Sequence, residues 1–198
     1  VRSVDEILKR DFQLPAGLAD TSKLPDGKHR VQILDPAAGT GTFISATIRV
    51  IYEHLKAQKQ EGRWPAYVHH DLLPRLHGFE LMMAPYAIAH MKIGLKLAET
   101  GYTFPEDGPR VKVFLTNALE PAHPLQAQLE AIAPMLAHEA ASANSVKEQL
   151  HATVIVGNPP YMKSEDMKNI TPLELPLYKT NYTSAYKQFD KYFLFLEQ

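Results

Sequence analysis

The sequence has 198 residues, 45% of them hydrophobic and 22% charged, with a mean hydropathy of -0.24. These values are typical of a single globular domain and exclude a disordered chain or a collagen-like repeat. Lys and Arg number 21 against 22 Asp and Glu, so the chain lacks the positive field that would hold a nucleic acid without specific contacts. The absence of Cys excludes a disulfide framework, a thiolate zinc site and a cysteine nucleophile.

The sequence has no feature of a membrane or metal-binding protein. Its apolar stretches fall well short of the ~20 residues that cross a bilayer, and its first residues do not resemble a signal peptide. None of the nine His stands in an H-E-x-x-H or comparable ligand spacing. We therefore expect a soluble, cytoplasmic protein that contacts neither a membrane nor a metal ion.

The first third of the chain is typical of a strand, glycine turn and helix. Ser3 and Glu6 have the spacing of a capping box and predict a short opening helix. Residues 14–30 are rich in Pro, Gly and Asp and predict a loop, and residues 31–35 predict a strand. A turn with two glycines follows over 36–41. The next helix is indicated by apolar residues at helical spacing, namely Ile44, Ile48, Ile51 and Leu55.

The alternation of strand and helix continues toward the carboxyl end. Strands are predicted at 76–80, 111–115 and 153–156. Two helical stripes lie between them, and Met82 and Met83 are predicted to be core residues at the start of the first stripe. The stripes consist of Ala84, Ile88, Met91 and Leu95, and of Leu125, Leu129, Ile132 and Leu136, with Pro134 expected to break or kink the second. This alternation predicts a doubly wound α/β fold with a mostly parallel sheet.

The last 37 residues carry weaker signals. Residues 162–183 are polar, contain two prolines and show no sustained period, so we predict a long loop that is mobile or poorly packed. A helical stripe then begins, formed by Tyr186, Phe189, Phe193 and Leu196. Because four strands are few for such a sheet, we expect a partial domain with three parts: an amino-terminal helix and loop (1–30), a core (31–161), and a loop and helix (162–198).

A polar residue suited to ligand binding stands at the end of each predicted strand or shortly after it: Asp35, Glu80, Asn117 and Asn158. In doubly wound sheets, ligands bind beyond the carboxyl ends of the strands. A dinucleotide fingerprint is disfavoured because Ile44 stands where its third glycine should be and Glu80 comes too late. The phosphate-binding G-x-x-x-x-G-K-[ST] loop is absent. An ordinary tight turn remains the plain alternative for the glycine segment.

The most specific motif is Asn-Pro-Pro-Tyr over residues 158–161. The two prolines remove two backbone donors and fix φ, leaving rigid acceptors. The Asn158 side-chain oxygen and the Pro159 carbonyl can accept the two protons of a planar NH2 group, while Tyr161 stacks on the attached ring. A proline-rich strand exit is the alternative interpretation.

Residues 35–43 (DPAAGTGTF) together with residues 158–161 (NPPY) resemble the motif pair of S-adenosylmethionine-dependent N6-adenine DNA methyltransferases, particularly the large restriction-modification enzymes with methylase and recognition domains in one chain. The resemblance implies that S-adenosylmethionine is the cofactor and DNA the partner. It implies that Asp35 and the glycines hold the methionine part of the cofactor and Glu80 its ribose. The implied cofactor-binding set is Asp35, Pro36, Ala37, Gly39, Gly41, Thr42, Phe43, Glu80, Asn117 and Ala118, and the implied catalytic set is Asn158, Pro159, Pro160 and Tyr161.

This sequence also departs from the family pattern, and alternative functions stay open. At Asn117, which would meet the cofactor's adenine, the family more often has Asp. A cofactor-covering segment, further strands and a recognition domain are absent from this sequence, so we expect the isolated segment to be inactive. An Asn-Pro-Pro-Tyr cluster would also serve a protein glutamine amide or an RNA base amine, and a non-catalytic module that binds cofactor or DNA is the third possibility.

Overall fold

The computed structural model describes residues 1–122 and 134–198. Within them, four parallel strands form one sheet in the order β3-β2-β1-β4. The strands are β1 (Ile33–Asp35), β2 (Leu76–Glu80), β3 (Lys112–Leu115) and β4 (Val154–Ile155). β1 is central, with Asp35 beside Gly78 of β2 and Leu34 beside Ile155 of β4. The predicted doubly wound α/β fold with a parallel sheet is thus confirmed.

Helices connect the strands. The α-helices are α1 (Arg2–Arg10), α2 (Thr42–Ala57), α3 (Trp64–Tyr67), α4 (Met83–Glu99), α5 (Pro134–Gln149), α6 (Ser164–Ile170), α7 (Glu174–Asn181) and α8 (Tyr192–Glu197). Short 3-10 turns occupy Gly17–Ala19, Glu61–Arg63 and Leu73–Arg75, and one π turn spans Val68–Leu72. No helix in the described ranges is both long and apolar enough to cross a membrane. The predicted residues Leu125, Leu129 and Ile132 lie outside the described residues.

The α2 stripe is confirmed, because Ile44, Ile48, Ile51 and Leu55 are all buried in the main core. The predicted buried face of α4 is wrong. Ala89, Ile93 and Leu97 face the core, whereas Ala84, Ile88, Met91 and Leu95, with Met82 and Met83, are exposed. The segment is apolar on nearly every side, so its periodicity fits two faces. The buried face packs closely on the glycine turn, because a Cβ atom on Gly41 would lie only 3.3 Å from Ala89 Cβ and from Ile93 Cδ1.

The amino-terminal segment packs into the main core. Helix α1 forms as predicted, but it has no side-chain cap, because it begins at Arg2 and so encloses Ser3. Leu8 and Leu18 are buried, and the Leu18 amide donates to Asp5 Oδ1 at 2.7 Å. Arg75 is fully buried and donates to the carbonyls of Leu18, Val31 and Asp71. These bonds attach the chain before β1 to the sheet.

The prediction of a long, poorly packed loop over 162–183 is wrong. Helices α6 and α7 occupy most of this stretch, and Met167, Leu175, Tyr178 and Tyr182 are buried together with Leu119. The apolar and aromatic anchors are too few and too irregularly spaced to give a period. They nevertheless bury enough surface to order the segment once it packs against the end of β3.

The last predicted helix begins later than the sequence indicated. Helix α8 spans only Tyr192–Glu197. Tyr186 and Leu196 of the predicted stripe are exposed, whereas Phe189 and Leu194 are buried. The stripe therefore mixes residues from a loop and from a short helix, which share no common face.

Candidate active site at the carboxyl edge of the sheet

The glycine turn after β1 is held by the neighbouring strand. Gly39 and Gly41 both have left-handed backbone angles, with φ of 53° and 74°, which only glycine adopts without strain. The Ala38 amide donates to the Phe79 carbonyl at 2.8 Å, and the Gly41 amide to the Ala38 carbonyl at 2.8 Å. Helix α2 starts directly after the turn and has no side-chain cap. Its first-turn amides are therefore suited to an anionic group.

Glu80 fixes the same turn from the end of β2. Its Oε2 accepts the Gly39 amide at 2.8 Å, and its Oε1 accepts the Met82 amide at 2.8 Å. Each carboxylate oxygen retains a second lone pair for another donor. The Glu80 carbonyl also accepts the Thr116 amide at 2.8 Å, so the end of β3 lies beside Glu80.

Asp35 is a buried carboxyl whose interactions are incomplete. It is only 1% exposed; its Oδ1 accepts the Ala37 amide at 3.1 Å, and its Oδ2 has no hydrogen-bond partner among the described residues. Burial, together with the charge of Glu80, raises the pKa of Asp35 to about 7, against the lowering effect of the Ala37 amide. A buried carboxyl with an unused oxygen is suited to a cationic ligand group.

Gly157 brings the Asn-Pro-Pro-Tyr segment against Asp35. A Cβ atom on Gly157 would lie 2.6 Å from Asp35 Oδ1 and 3.2 Å from Pro36 Cδ. The chain therefore leaves β4 in van der Waals contact with the turn after β1, as only glycine permits. Gly157 is not among the residues predicted from the motifs. A glycine at the end of a strand signals close backbone approach and was the available clue.

The Asn-Pro-Pro-Tyr segment presents its polar groups to solvent. Asn158 is exposed, and its Oδ1 accepts the Tyr161 hydroxyl at 3.0 Å. The Tyr161 ring is 69% exposed, and its centroid lies 5.7 Å from that of Tyr192. The segment thus combines an accessible amide with an accessible aromatic ring.

Asn117 lies at the same edge, but its side chain bonds within the protein. Its Oδ1 accepts the Leu119 amide at 3.0 Å, and its Nδ2 donates to Glu120 Oε1 at 2.9 Å and, at a longer 3.4 Å, to the Tyr178 hydroxyl. Ala118 and Pro36 help to line a cavity of about 360 Å³ under α5. A contact between Asn117 and a cofactor stays a prediction.

The remaining predicted residues flank the turn. Thr42 is exposed and accepts a hydrogen bond from Lys92 at 3.1 Å, and Phe43 is half-buried. The strand order brings Asp35, Glu80, Asn117 and Asn158 to one edge of the sheet. In the described part of the chain, no group of three or more His, Asp or Glu side chains is arranged to hold a metal ion.

Comparison with known proteins gives the family. The model of the Eco57I restriction-modification methylase family matches residues 81–198, more than half of the chain. The chain belongs to this family. The resemblance stated from the two motifs is thereby confirmed at the level of a restriction-modification methylase. A curated member, the type II restriction enzyme and methyltransferase RM.Eco57I of Escherichia coli, is 69% identical over 45 residues, which are 23% of this chain and 4% of that protein.

Three solved structures have the fold of this Eco57I-family chain. A nuclease-deletion mutant of the Type ISP restriction-modification enzyme LlaGI, in complex with a DNA substrate mimic, has a TM-score of 0.64 at 24% identity; the match covers 100% of this chain and 16% of that one. The ATP-dependent Type ISP enzyme LlaBIII bound to DNA gives 0.64 and 24%, covering 98% and 13%. The DrdV-DNA complex gives 0.59 and 25%, covering 98% and 17%. The chain thus spans no more than about a sixth of each of these relatives.

Proposed function

We propose that this chain is the cofactor-binding and catalytic segment of a longer restriction-modification enzyme that transfers a methyl group from S-adenosylmethionine to the N6 amine of adenine in DNA. The observation that carries the proposal is the contact between Gly157 and Asp35. It joins a glycine turn with an unsatisfied buried carboxyl to the Asn-Pro-Pro-Tyr segment. Family membership supports the methylase activity, and the motif supports the amine as acceptor.

The residues around the turn fit the proposed cofactor. S-adenosylmethionine carries an ammonium and a sulfonium cation and supplies an already activated methyl group. Asp35, with its unpartnered oxygen, would pair with the cationic methionine part beside Gly39 and Gly41. Glu80 has lone pairs left for the two ribose hydroxyls, and Asn117 and Ala118 would meet the adenine. Pro36, Ala37, Thr42 and Phe43 would complete the walls.

The catalytic work of the protein in this proposal is to position and polarise the target amine. Asn158 Oδ1 and the Pro159 carbonyl would accept the two N6 protons, which withdraws the nitrogen lone pair from the ring and favours the nucleophilic geometry. Tyr161 would stack on the base. A base in a duplex must first be flipped out, which costs a few kcal/mol that stacking partly offsets. Pro160 keeps the acceptors rigid.

DNA is the proposed partner, held chiefly by parts of the enzyme outside this chain. The formal net charge of -1 gives the segment little electrostatic attraction for a duplex. The related LlaGI, LlaBIII and DrdV structures contain DNA or a DNA mimic and are much longer chains. We propose a cytoplasmic enzyme, because its DNA substrate is there.

A transfer assay tests the proposal against its rivals. The complete enzyme is incubated with methyl-labelled S-adenosylmethionine and, separately, adenine-containing duplex DNA, RNA or a protein extract, with the Asn158→Ala variant as control. Label recovered as N6-methyladenine in DNA, and lost in the variant, is the expected result. Label in RNA or on glutamine would favour a methyltransferase that acts on an RNA base amine or on a protein glutamine amide. Cofactor binding with no transfer to any substrate would favour a non-catalytic module.

A further inference from the structure

Residues 162–198, here called the carboxyl-terminal cluster, pack against the end of β3. The Tyr182 hydroxyl donates to the Leu119 carbonyl at 2.8 Å, and Leu119 is buried among Met167, Leu175 and Tyr178. Leu119, which makes this contact, is two residues after Asn117 in the sequence. The position of the cluster therefore depends on the segment that follows β3.

A chain of polar groups runs through the cluster from Asn117. Asn117 Nδ2 reaches the Tyr178 hydroxyl at 3.4 Å, and this hydroxyl donates to Glu174 Oε2 at 3.1 Å. Lys191 Nζ donates to the same Glu174 oxygen at 2.8 Å and lies 5.2 Å from the Tyr178 ring centroid. Burial would raise the pKa of Glu174, but the hydrogen bond and charge of Lys191 outweigh it and lower the pKa. Glu174 and Lys191 therefore form an ion pair.

The other end of this chain holds the residue that follows Tyr161. The Lys191 amide donates to the Met162 carbonyl at 2.8 Å. The carboxylate of the adjacent Asp190 accepts the Met162 amide at 3.1 Å. Both backbone groups of Met162 are thus bonded to residues 190 and 191, so the end of the Asn-Pro-Pro-Tyr segment moves with the Lys191 backbone.

We propose that Tyr178 is a positioning residue: through Glu174 and Lys191 it fixes Met162, and so the Asn158–Tyr161 segment, relative to the end of β3. The inference deepens the proposed function and rests on it for its catalytic consequence. Tyr178 does not touch the reacting atoms. It sets where the amine acceptors stand relative to the side of the sheet where the cofactor is proposed to bind.

The hydroxyl matters beyond the packing of the ring. Tyr178→Phe keeps the ring in the cluster but removes the donor to Glu174 and the acceptor for Asn117. Lys191 is buried and Glu174 is half-buried, and a partly buried ion pair that loses one of its hydrogen bonds is left less well satisfied. Motion at Glu174 and Lys191 should then reach Met162 through the backbone, while the glycine turn, held by Glu80, is unaffected.

Hydrogen exchange measured by mass spectrometry on the complete enzyme tests the link without depending on activity. In Tyr178→Phe, peptides covering 158–163 and 189–192 should exchange about fivefold faster, as expected for one lost hydrogen bond. A peptide covering 33–48 should be unchanged. Tyr186→Phe is the matched control, because its ring belongs to the same cluster and is 70% exposed; it should behave as wild type. Lys191→Met removes the bond from Lys191 Nζ to Glu174 but keeps the backbone bond to Met162, and it should affect the same peptides.

Kinetic measurements test the catalytic consequence of the positioning role. Tyr178→Phe should lower the single-turnover rate of methyl transfer about tenfold, an effect of misplacing the amine acceptors. The Kd for S-adenosylmethionine should stay within about twofold, because Asn117 loses only its long bond to Tyr178 and keeps those to Leu119 and Glu120. Unchanged exchange at 158–163, or an equal increase in every peptide, would overturn the positioning role. Suppose instead that Tyr178→Phe exchanges faster at 158–163 but the wild-type enzyme transfers no methyl group. That result would refute the proposed function and leave the structural link standing.

Discussion

The affinity for S-adenosylmethionine should rise with pH until about pH 7, because Asp35 must lose a proton to pair with a cation. Burial first, and then the charge of Glu80, raise the pKa of this carboxyl from 3.8 to about 7. Below that pH the ligand-free protein holds Asp35 protonated. Binding of the cationic methionine part lowers the pKa and releases the proton, so each pH unit below 7 weakens binding by up to about tenfold.

Between pH 7 and pH 5 the expected loss of affinity is therefore about 100-fold, or about 2.7 kcal/mol. Calorimetric titrations at several pH values, in buffers of different ionisation enthalpy, measure both the Kd and the protons released. The Asp35→Asn variant is the control: it should bind more weakly at pH 8 and show no proton release. Equal wild-type Kd values at pH 5.5 and pH 8 would refute the assignment of Asp35 to a cation.

The same carboxyl sets a stability trend in the ligand-free protein. Its folded-state pKa lies above the unfolded value, so the folded state binds the proton more tightly. The contribution of Asp35 to the free energy of unfolding is complete below about pH 4 and is lost as pH rises to about 7. Its size is up to about 4 kcal/mol. Urea unfolding at pH 4.5 and pH 7.5 should show this decrease in wild type, and Asp35→Asn should flatten it.

Two further substitutions separate turnover from architecture. Asn158→Ala should lower the turnover of the complete enzyme by two or more orders of magnitude, about 3 kcal/mol, with cofactor Kd unchanged; near-normal turnover would exclude Asn158 from the mechanism. Gly157→Ala should destabilise the fold by about 1–3 kcal/mol and weaken both cofactor binding and turnover, because its Cβ would meet Asp35 Oδ1 at 2.6 Å. Gly94→Ala is its control: a Cβ there meets nothing within 4 Å, so denaturant midpoints should show no loss.

The sheet was predictable because its signals are local. A buried strand followed by a glycine turn and an apolar stripe, as over 31–55, describes one strand-helix unit with little ambiguity. Helix α4 was different, since apolar residues lie on nearly every side of it, and only the folded structure shows which face fits against Gly41 through Ala89 and Ile93. That fit is a tertiary property which no periodicity carries. The exposed residues Met82 and Met83 were misassigned for the same reason.

The carboxyl-terminal cluster was missed because its stability is non-local. Helices α6 and α7 have seven and eight residues, too short to be stable by propensity alone. They are held by Leu119, more than 40 residues earlier in the sequence, and by the pair Glu174 and Lys191. A polar stretch with scattered aromatic residues therefore looks like a loop until its partner is known.

The position of β1 explains why the proposed cofactor and catalytic residues form one unit. β1 lies between β2 and β4, so the turn that follows it is contacted from both sides. Glu80 of β2 bonds the Gly39 amide, and Gly157 after β4 abuts Asp35. A ligand that pairs with Asp35 therefore acts on the group against which the Asn158 segment rests. If the proposed function holds, cofactor binding at Asp35 and alignment of the amine acceptors would be coupled through this carboxyl, and we expect a change at Gly157 to affect both.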